Sequence, residues 1–157
     1  AREAIWQHEH GPRGGDELQR LVPGSNYGWP AATHGIDYSG ALISPYESLP
    51  GRVDPLWTWT PSIAPAGLAV VEGPAFPAWQ GDLLVTGLAS RDLRRLEISG
   101  ERVVAEHVLL AELDERLREV RIAPDGTPWI TTDSDRGRVL RLVPAGFESQ
   151  RATEPTT

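Results

Sequence analysis

The chain has 157 residues, 39% of them hydrophobic, with no Cys, Met or Lys, and 15 Arg against 22 acidic residues for a formal net charge of −7. The acidic balance argues against nucleic acid or an anionic membrane as partner, and the lack of Cys removes disulfides, thiolate metal sites and Cys nucleophiles. No apolar run approaches the ~18 residues of a membrane span.

Helix signals are poor, because 14 Pro and 16 Gly punctuate the chain. Short strands are predicted instead at residues 4–9, 17–22, 67–71, 82–87, 93–98, 103–110, 119–122, 128–132 and 138–143. The first contains Trp6-Gln-His8-Glu-His10. Two His at i and i+2 of a strand share a face, as a zinc pair does. No third ligand is apparent, and polar residues at a strand end are the simpler reading.

The next stretch, 9–30 (EHGPRGGDELQRLVPGSNYGWP), packs five Gly, three Pro and three acidic residues together. Gly and Pro make turns that aim carbonyls inward, and carbonyls with carboxylates are the ligands of a hard cation such as calcium. A wide turn with solvated acids fits the same composition, and no EF-hand spacing is present to separate the two. Residues 39–52 read as a long connecting loop. Trp57, Trp59, Trp79 and Trp129 are expected as core and blade-packing residues, while His34 and His107 are isolated. ISGER (98–102) and APDGT (123–127) are hairpin turns. Residues 110–119, rich in Leu, Glu and Arg, are the one plausible helical turn. Arg116 and Arg118 would share a face if extended. They suit either a multiply anionic planar ligand or a surface ion-pair cluster with Asp114, Glu115 and Glu119. Residues 147–157 read as a flexible polar tail.

An internal repeat organises these elements. Segment 82–100 lines up with 127–146, and 5–24 shares their design: strand, polar turn, then a strand of the form Leu-x-Arg-Leu. A hairpin recurring at about 45 residues marks propeller blades. The expected fold class is therefore all-β, a partial β-propeller of about three blades. Three copies, and a chain without Met, read as the C-terminal half of a propeller spanning residues 1–146. Its open blade edges would then favour self-association.

EHGPRGGDEL…NYGWP, THGIDYSG, PSIAPAGLA and RLREVRIAPDG…TTDSDRGRVLRL occur in this order. From about residue 5 to 143 the chain resembles the pyrroloquinoline-quinone (PQQ)-dependent soluble aldose sugar dehydrogenases of the glucose/sorbosone dehydrogenase family. The resemblance implies a six-bladed propeller. It also implies oxidation of an aldose at C1 to a lactone, by hydride transfer to the quinone, with electrons passed to an external acceptor in a periplasmic or secreted setting.

The same resemblance implies site roles. The carbonyls of Gly11 and Pro12 would hold the calcium that also binds the quinone, and Glu17 and Tyr27 a structural calcium. Tyr38 would line the cofactor, and Arg116 and Arg118 would contact it. The family's base His and its Arg-Asn-x-Gln contacts belong to the N-terminal half, and none of His8, His10, His34 or His107 matches the base. Ala89 stands about where some members place a quinone-touching Lys, and Glu119 stands for the commoner Asp. The competing reading is a calcium-bound propeller that acts as a lactonase or only binds a ligand.

Overall fold

The computed structural model describes residues 4–146, so the tail predicted at 147–157 lies outside the described residues. Ten strands form three antiparallel sheets. The first sheet orders β1 (Trp6–Glu9), β2 (Asp16–Arg20) and β3 (Trp57–Trp59). The second orders β4 (Pro65–Val70), β5 (Leu83–Gly87), β6 (Leu93–Ser99) and β7 (Arg102–Leu109). The third contains β8 (Leu117–Ile122), β9 (Pro128–Thr132) and β10 (Val139–Arg141). These are three propeller blades, and the repeated hairpins are β1–β2, β5–β6 and β9–β10.

The blades stack because β5 serves two cores. Its side chains alternate between faces, as a strand requires. Leu83 and Val85 join Leu18, Trp59, Ile63 and Leu96 toward the first sheet. Leu84 faces the other way, among Val71, Leu93, Leu117, Val120 and Ile130 toward the third. All five β5 residues are buried. Each Leu or Val side chain taken fully out of water contributes about 1.5–3 kcal/mol. A polar link crosses the first interface as well: Trp59 Nε1 donates to Glu106 Oε1 at 2.6 Å, and Glu106 also pairs with Arg94 at 3.3 Å.

Both predicted hairpin turns form. Ser99 pairs with Arg102 around Gly100, whose φ is 63°. Gly126 N–H donates to the Ala123 carbonyl at 2.8 Å. The helical turn expected at 110–119 is a correction: only Ala111–Leu113 makes a single 3-10 turn. Leu110 and Asp114 both adopt left-handed backbone, φ 60° and 49°, which ends the helix on either side. The chain from Leu117 onward then pairs with β9. Strand β3 was not predicted, because three residues between Pro55 and Pro61 carry too little pattern. It exists because the backbone of β2 offers it a partner. Trp129 is also a correction, since it is 42% exposed rather than buried in the core. It lies under the Arg141 guanidinium at 5.7 Å.

Blades two and three meet at two β-bulges. β4 slips register between Pro65 and Leu68, and β8 between Leu117 and Glu119. A side-chain carbon on Gly67 would lie 2.6 Å from Val120 N, so the two backbones approach as only Gly permits. The buried Thr86 hydroxyl joins the bulges, accepting from Gly67 N at 2.7 Å and donating to the Arg118 carbonyl at 3.3 Å.

Candidate active-site cleft

The turn between β1 and β2 is a knot of glycines. A side-chain carbon on Gly11 would collide with the Gly14 carbonyl and the Gly15 backbone. The turn is held from below by Asp16, which is fully buried. Its carboxylate accepts from Gly11 N at 2.8 Å, Ile63 N at 2.8 Å and Ala64 N at 3.0 Å. Ser62 Oγ donates to both of its oxygens, at 3.0 and 2.8 Å. The β1–β2 turn and the β3–β4 loop thus share one anion.

Above them opens a cleft of about 880 Å³, lined by His10, Gly11, Pro12, Tyr38, Ser62 and Ala64 among others. Tyr38 rides on a tight turn: Asp37 N–H donates to the Ala41 carbonyl at 2.9 Å, and Asp37 Oδ1 accepts from Ser39 N at 2.8 Å. That turn leaves the Tyr38 ring 77% exposed at the cleft. Gly11, Pro12 and Tyr38 are therefore brought together.

The Arg pair is joined to this cleft by a chain of hydrogen bonds. Ala64, in left-handed backbone at φ 50°, accepts from Leu88 N at 3.0 Å, and Ile63 accepts from Ala89 N at 2.9 Å. The Leu88 carbonyl accepts from Arg116 Nη1 at 3.4 Å. Arg116 Nε and Arg118 Nη2 both reach Asp133 Oδ2, at 3.0 and 3.1 Å. These two guanidinium groups hold the Asp133 carboxyl below the usual carboxylate range. Asp133 N–H also donates to the Arg116 carbonyl at 2.7 Å. Left-handed backbone at a non-glycine residue costs of order 1–3 kcal/mol and concentrates at functional sites. Besides Ala64 it occurs at Leu110, Arg91 and Asp114, and the last two pair at 3.1 Å beside Arg116.

Glu17 lines a second cavity of about 250 Å³ with Glu9, Trp29 and Thr33. Burial pushes the Glu17 carboxyl up to about 7, against the donation from Gln19, and the nearby Glu9 carboxylate adds to the rise. Gln19 donates to Glu17 at 2.8 Å and to Glu9 at 3.2 Å. Tyr27 lies elsewhere: its hydroxyl accepts from Val22 N at 2.6 Å and donates to the Arg20 carbonyl at 3.3 Å. Its side chain lines a different cavity from Glu17.

His10 Nε2 donates to the Pro65 carbonyl at 2.6 Å. Burial lowers the pKa of His8, and its Nδ1 finds no partner among the described residues. His34 and His107 sit beside Glu47 and Glu97 at 3.8 and 3.5 Å. No three His, Asp or Glu side chains converge as a metal set among the described residues. A hard cation here would draw on carbonyl oxygens, and the turn at Gly11 and Pro12 supplies a cleft rim of that kind. Glu9 and Glu17 both line the second cavity, and a cation there would favour the ionised form of Glu17. The cleft carries one exposed aromatic ring, Tyr38, and the guanidinium groups of Arg116 and Arg118 lie outside its lining, linked to it through Leu88.

Asp16, Thr86 and Asp133 escaped the sequence reading. Asp133 falls in the polar turn of a repeat hairpin, where acidic residues are unremarkable. Asp16 sits among so many acids and glycines that nothing marks it as buried.

The all-β chain of propeller blades thus carries a cleft at the β1–β2 turn and an Arg pair linked to it by hydrogen bonds. The glucose/sorbosone dehydrogenase family model matches residues 1–141, and the chain belongs to that family. It is 38% identical over 143 residues to the aldose sugar dehydrogenase YliI of Escherichia coli (strain K12), covering 90% of this chain and 38% of that protein. A crystal structure of a glucose dehydrogenase superposes with a TM-score of 0.85 at 48% identity, over 88% of this chain and 41% of that one. The PQQ-bound aldose sugar dehydrogenase of Streptomyces coelicolor gives 0.68 at 27% identity, over 89% of this chain and 40% of that one. The chain thus spans about two fifths of the length of these relatives.

Proposed function

We propose that this chain supplies one wall of the active site of a PQQ-dependent dehydrogenase that oxidises the C1 hydroxyl of aldoses to lactones. The observation that carries the reading is the series of hydrogen bonds from Gly11 through Asp16, Ala64 and Leu88 to Arg116, which shares Asp133 with Arg118. It joins the two groups of residues that a quinone cofactor with its calcium would need together. The PQQ in the Streptomyces coelicolor relative supports the choice of cofactor.

In this reading Gly11 and Pro12 hold calcium through their carbonyls, and Glu17 holds a second, structural calcium without Tyr27, whose hydroxyl is engaged elsewhere. Arg116 and Arg118 grip anionic substituents of the quinone, with Asp133 orienting both guanidinium groups before binding. Tyr38 covers the exposed face of the cleft and excludes water from it. When bound, the quinone supplies the hydride acceptor for the sugar and hands electrons to an external acceptor. The base that takes the hydroxyl proton lies outside these residues in this reading, since none of His8, His10, His34 or His107 matches the family's base. A periplasmic or secreted setting follows from the same reading.

The test is reconstitution of the complete polypeptide with calcium and PQQ, followed by dye reduction with a panel of aldoses. Turnover that needs both additions is expected. Hydrolysis of lactones without quinone would instead favour the lactonase reading, and binding without turnover a ligand-binding module.

A further inference from the structure

We propose that Asp16 is a positioning residue: its buried carboxylate clamps the Gly11–Pro12 turn to the Ser62–Ala64 turn and sets how tightly the cleft holds a divalent cation. The inference rests on the reading of Gly11 and Pro12 as the cation's carbonyl ligands.

Asp16 is 0% exposed, and burying an ionised carboxylate is costly unless its oxygens are satisfied. Here they are satisfied by neutral dipoles: three backbone N–H groups and the Ser62 hydroxyl. Among the described residues no Arg or His lies within ion-pair distance of it, so no formal positive charge cancels it. The carboxylate lies beneath the turn, one hydrogen bond from Gly11, and favours a cation above it. The same carboxylate fixes the backbone of two segments. In one it orients the peptide entering Gly11. In the other it holds Ile63 and Ala64, the latter in left-handed backbone that also accepts from Leu88. A purely structural carboxylate needs only enough donors to be buried, whereas this one draws its donors from two separate segments that both line the cleft.

The experiment uses the complete polypeptide and three variants: Asp16→Asn, Ser62→Ala and, as control, Leu84→Ala in the opposite core. Hydrogen exchange is followed by mass spectrometry over segments 9–16 and 60–66, and calcium affinity by calorimetry. Asp16→Asn should speed exchange in both segments by roughly tenfold or more and weaken calcium binding about 10–100-fold, the range for groups that orient metal ligands. Ser62→Ala should move both readouts in the same direction by about threefold, and it carries the test should Asp16→Asn not fold. Leu84→Ala should destabilise the protein yet leave calcium affinity alone.

Unchanged exchange in both clamp variants overturns the clamp. Faster exchange with unchanged calcium affinity overturns the positioning role, as does an equal loss of affinity in Leu84→Ala. A wild-type protein that takes up no calcium refutes the cation reading itself, and the exchange measurements then decide the clamp alone.

Discussion

Arg116 and Arg118 direct one nitrogen each to a single oxygen of Asp133, at 3.0 and 3.1 Å. Two residues apart at the start of β8, the two Arg share a face, as i and i+2 do in extended chain, and converge on one anion. Most of their remaining N–H donors stay free for a ligand, because each guanidinium carries five.

Removing either Arg should therefore weaken quinone binding directly. Arg116→Ala or Arg118→Ala is expected to lower PQQ affinity by roughly 10–100-fold, the worth of hydrogen bonds to charged groups. Asp133→Ala should cost less, about threefold to tenfold, because it removes orientation rather than contact and the pair is partly solvated. Quenching of intrinsic fluorescence on titration with PQQ measures all three. Equal losses in all three variants would contradict the separation of roles.

Glu17 makes a pH prediction with a definite sign. Its carboxyl ionises near 4.5 when unfolded and at about 7 when folded. The folded state thus binds the extra proton across that window, and stability falls as pH rises from about 4.5 to about 7. Glu17→Gln should flatten this part of the stability–pH curve, as read from urea midpoints in a metal-free buffer. Calcium, if held there, should restore stability most at and above the upper end of the window, and a chelator should remove the gain.

Gly11 tolerates no side chain. Gly11→Ala should destabilise by at least about 3 kcal/mol, since the colliding atoms are backbone and cannot step aside. Gly24→Ala serves as the contrast, because a side-chain carbon there meets nothing within 4 Å. Its cost is confined to the strain of left-handed backbone, about 1–2 kcal/mol. Thermal unfolding of the two variants should separate them clearly.

The 157 residues on their own should show no sugar oxidation after reconstitution, because none of their four His matches the family's base. Size-exclusion chromatography should show them self-associating, since β1 has only β2 as a sheet partner among the described residues. A monomer with robust turnover would count against both expectations.

Much of this fold was legible because its strands carry two independent signals. Alternation marks them singly, and the Leu-x-Arg-Leu pattern at 18–21 and 93–96, with Val139 for the first Leu at 139–142, marks them as blades. The β5 segment LLVTG was visible for that reason, and the turns at Gly100 and Gly126 because only certain residues build them. The Trp57–Trp59 strand was not, since its cause is the partner edge of β2 and not its own sequence. At the site, composition pointed to the 9–30 turn and the Arg pair. What joins them was hidden. Asp16 meets its partners 46 to 48 residues away, and no local pattern records a contact of that range.

The two-faced burial of β5 has a consequence for how the molecule comes apart. A strand that completes the core on both sides cannot leave one neighbour while staying with the other. The three sheets should therefore open as one cooperative unit, with amides of Leu84 and Val85 exchanging only through global unfolding. The cleft loops, anchored at their bases by that unit, are then free to yield locally around a ligand without loosening the whole.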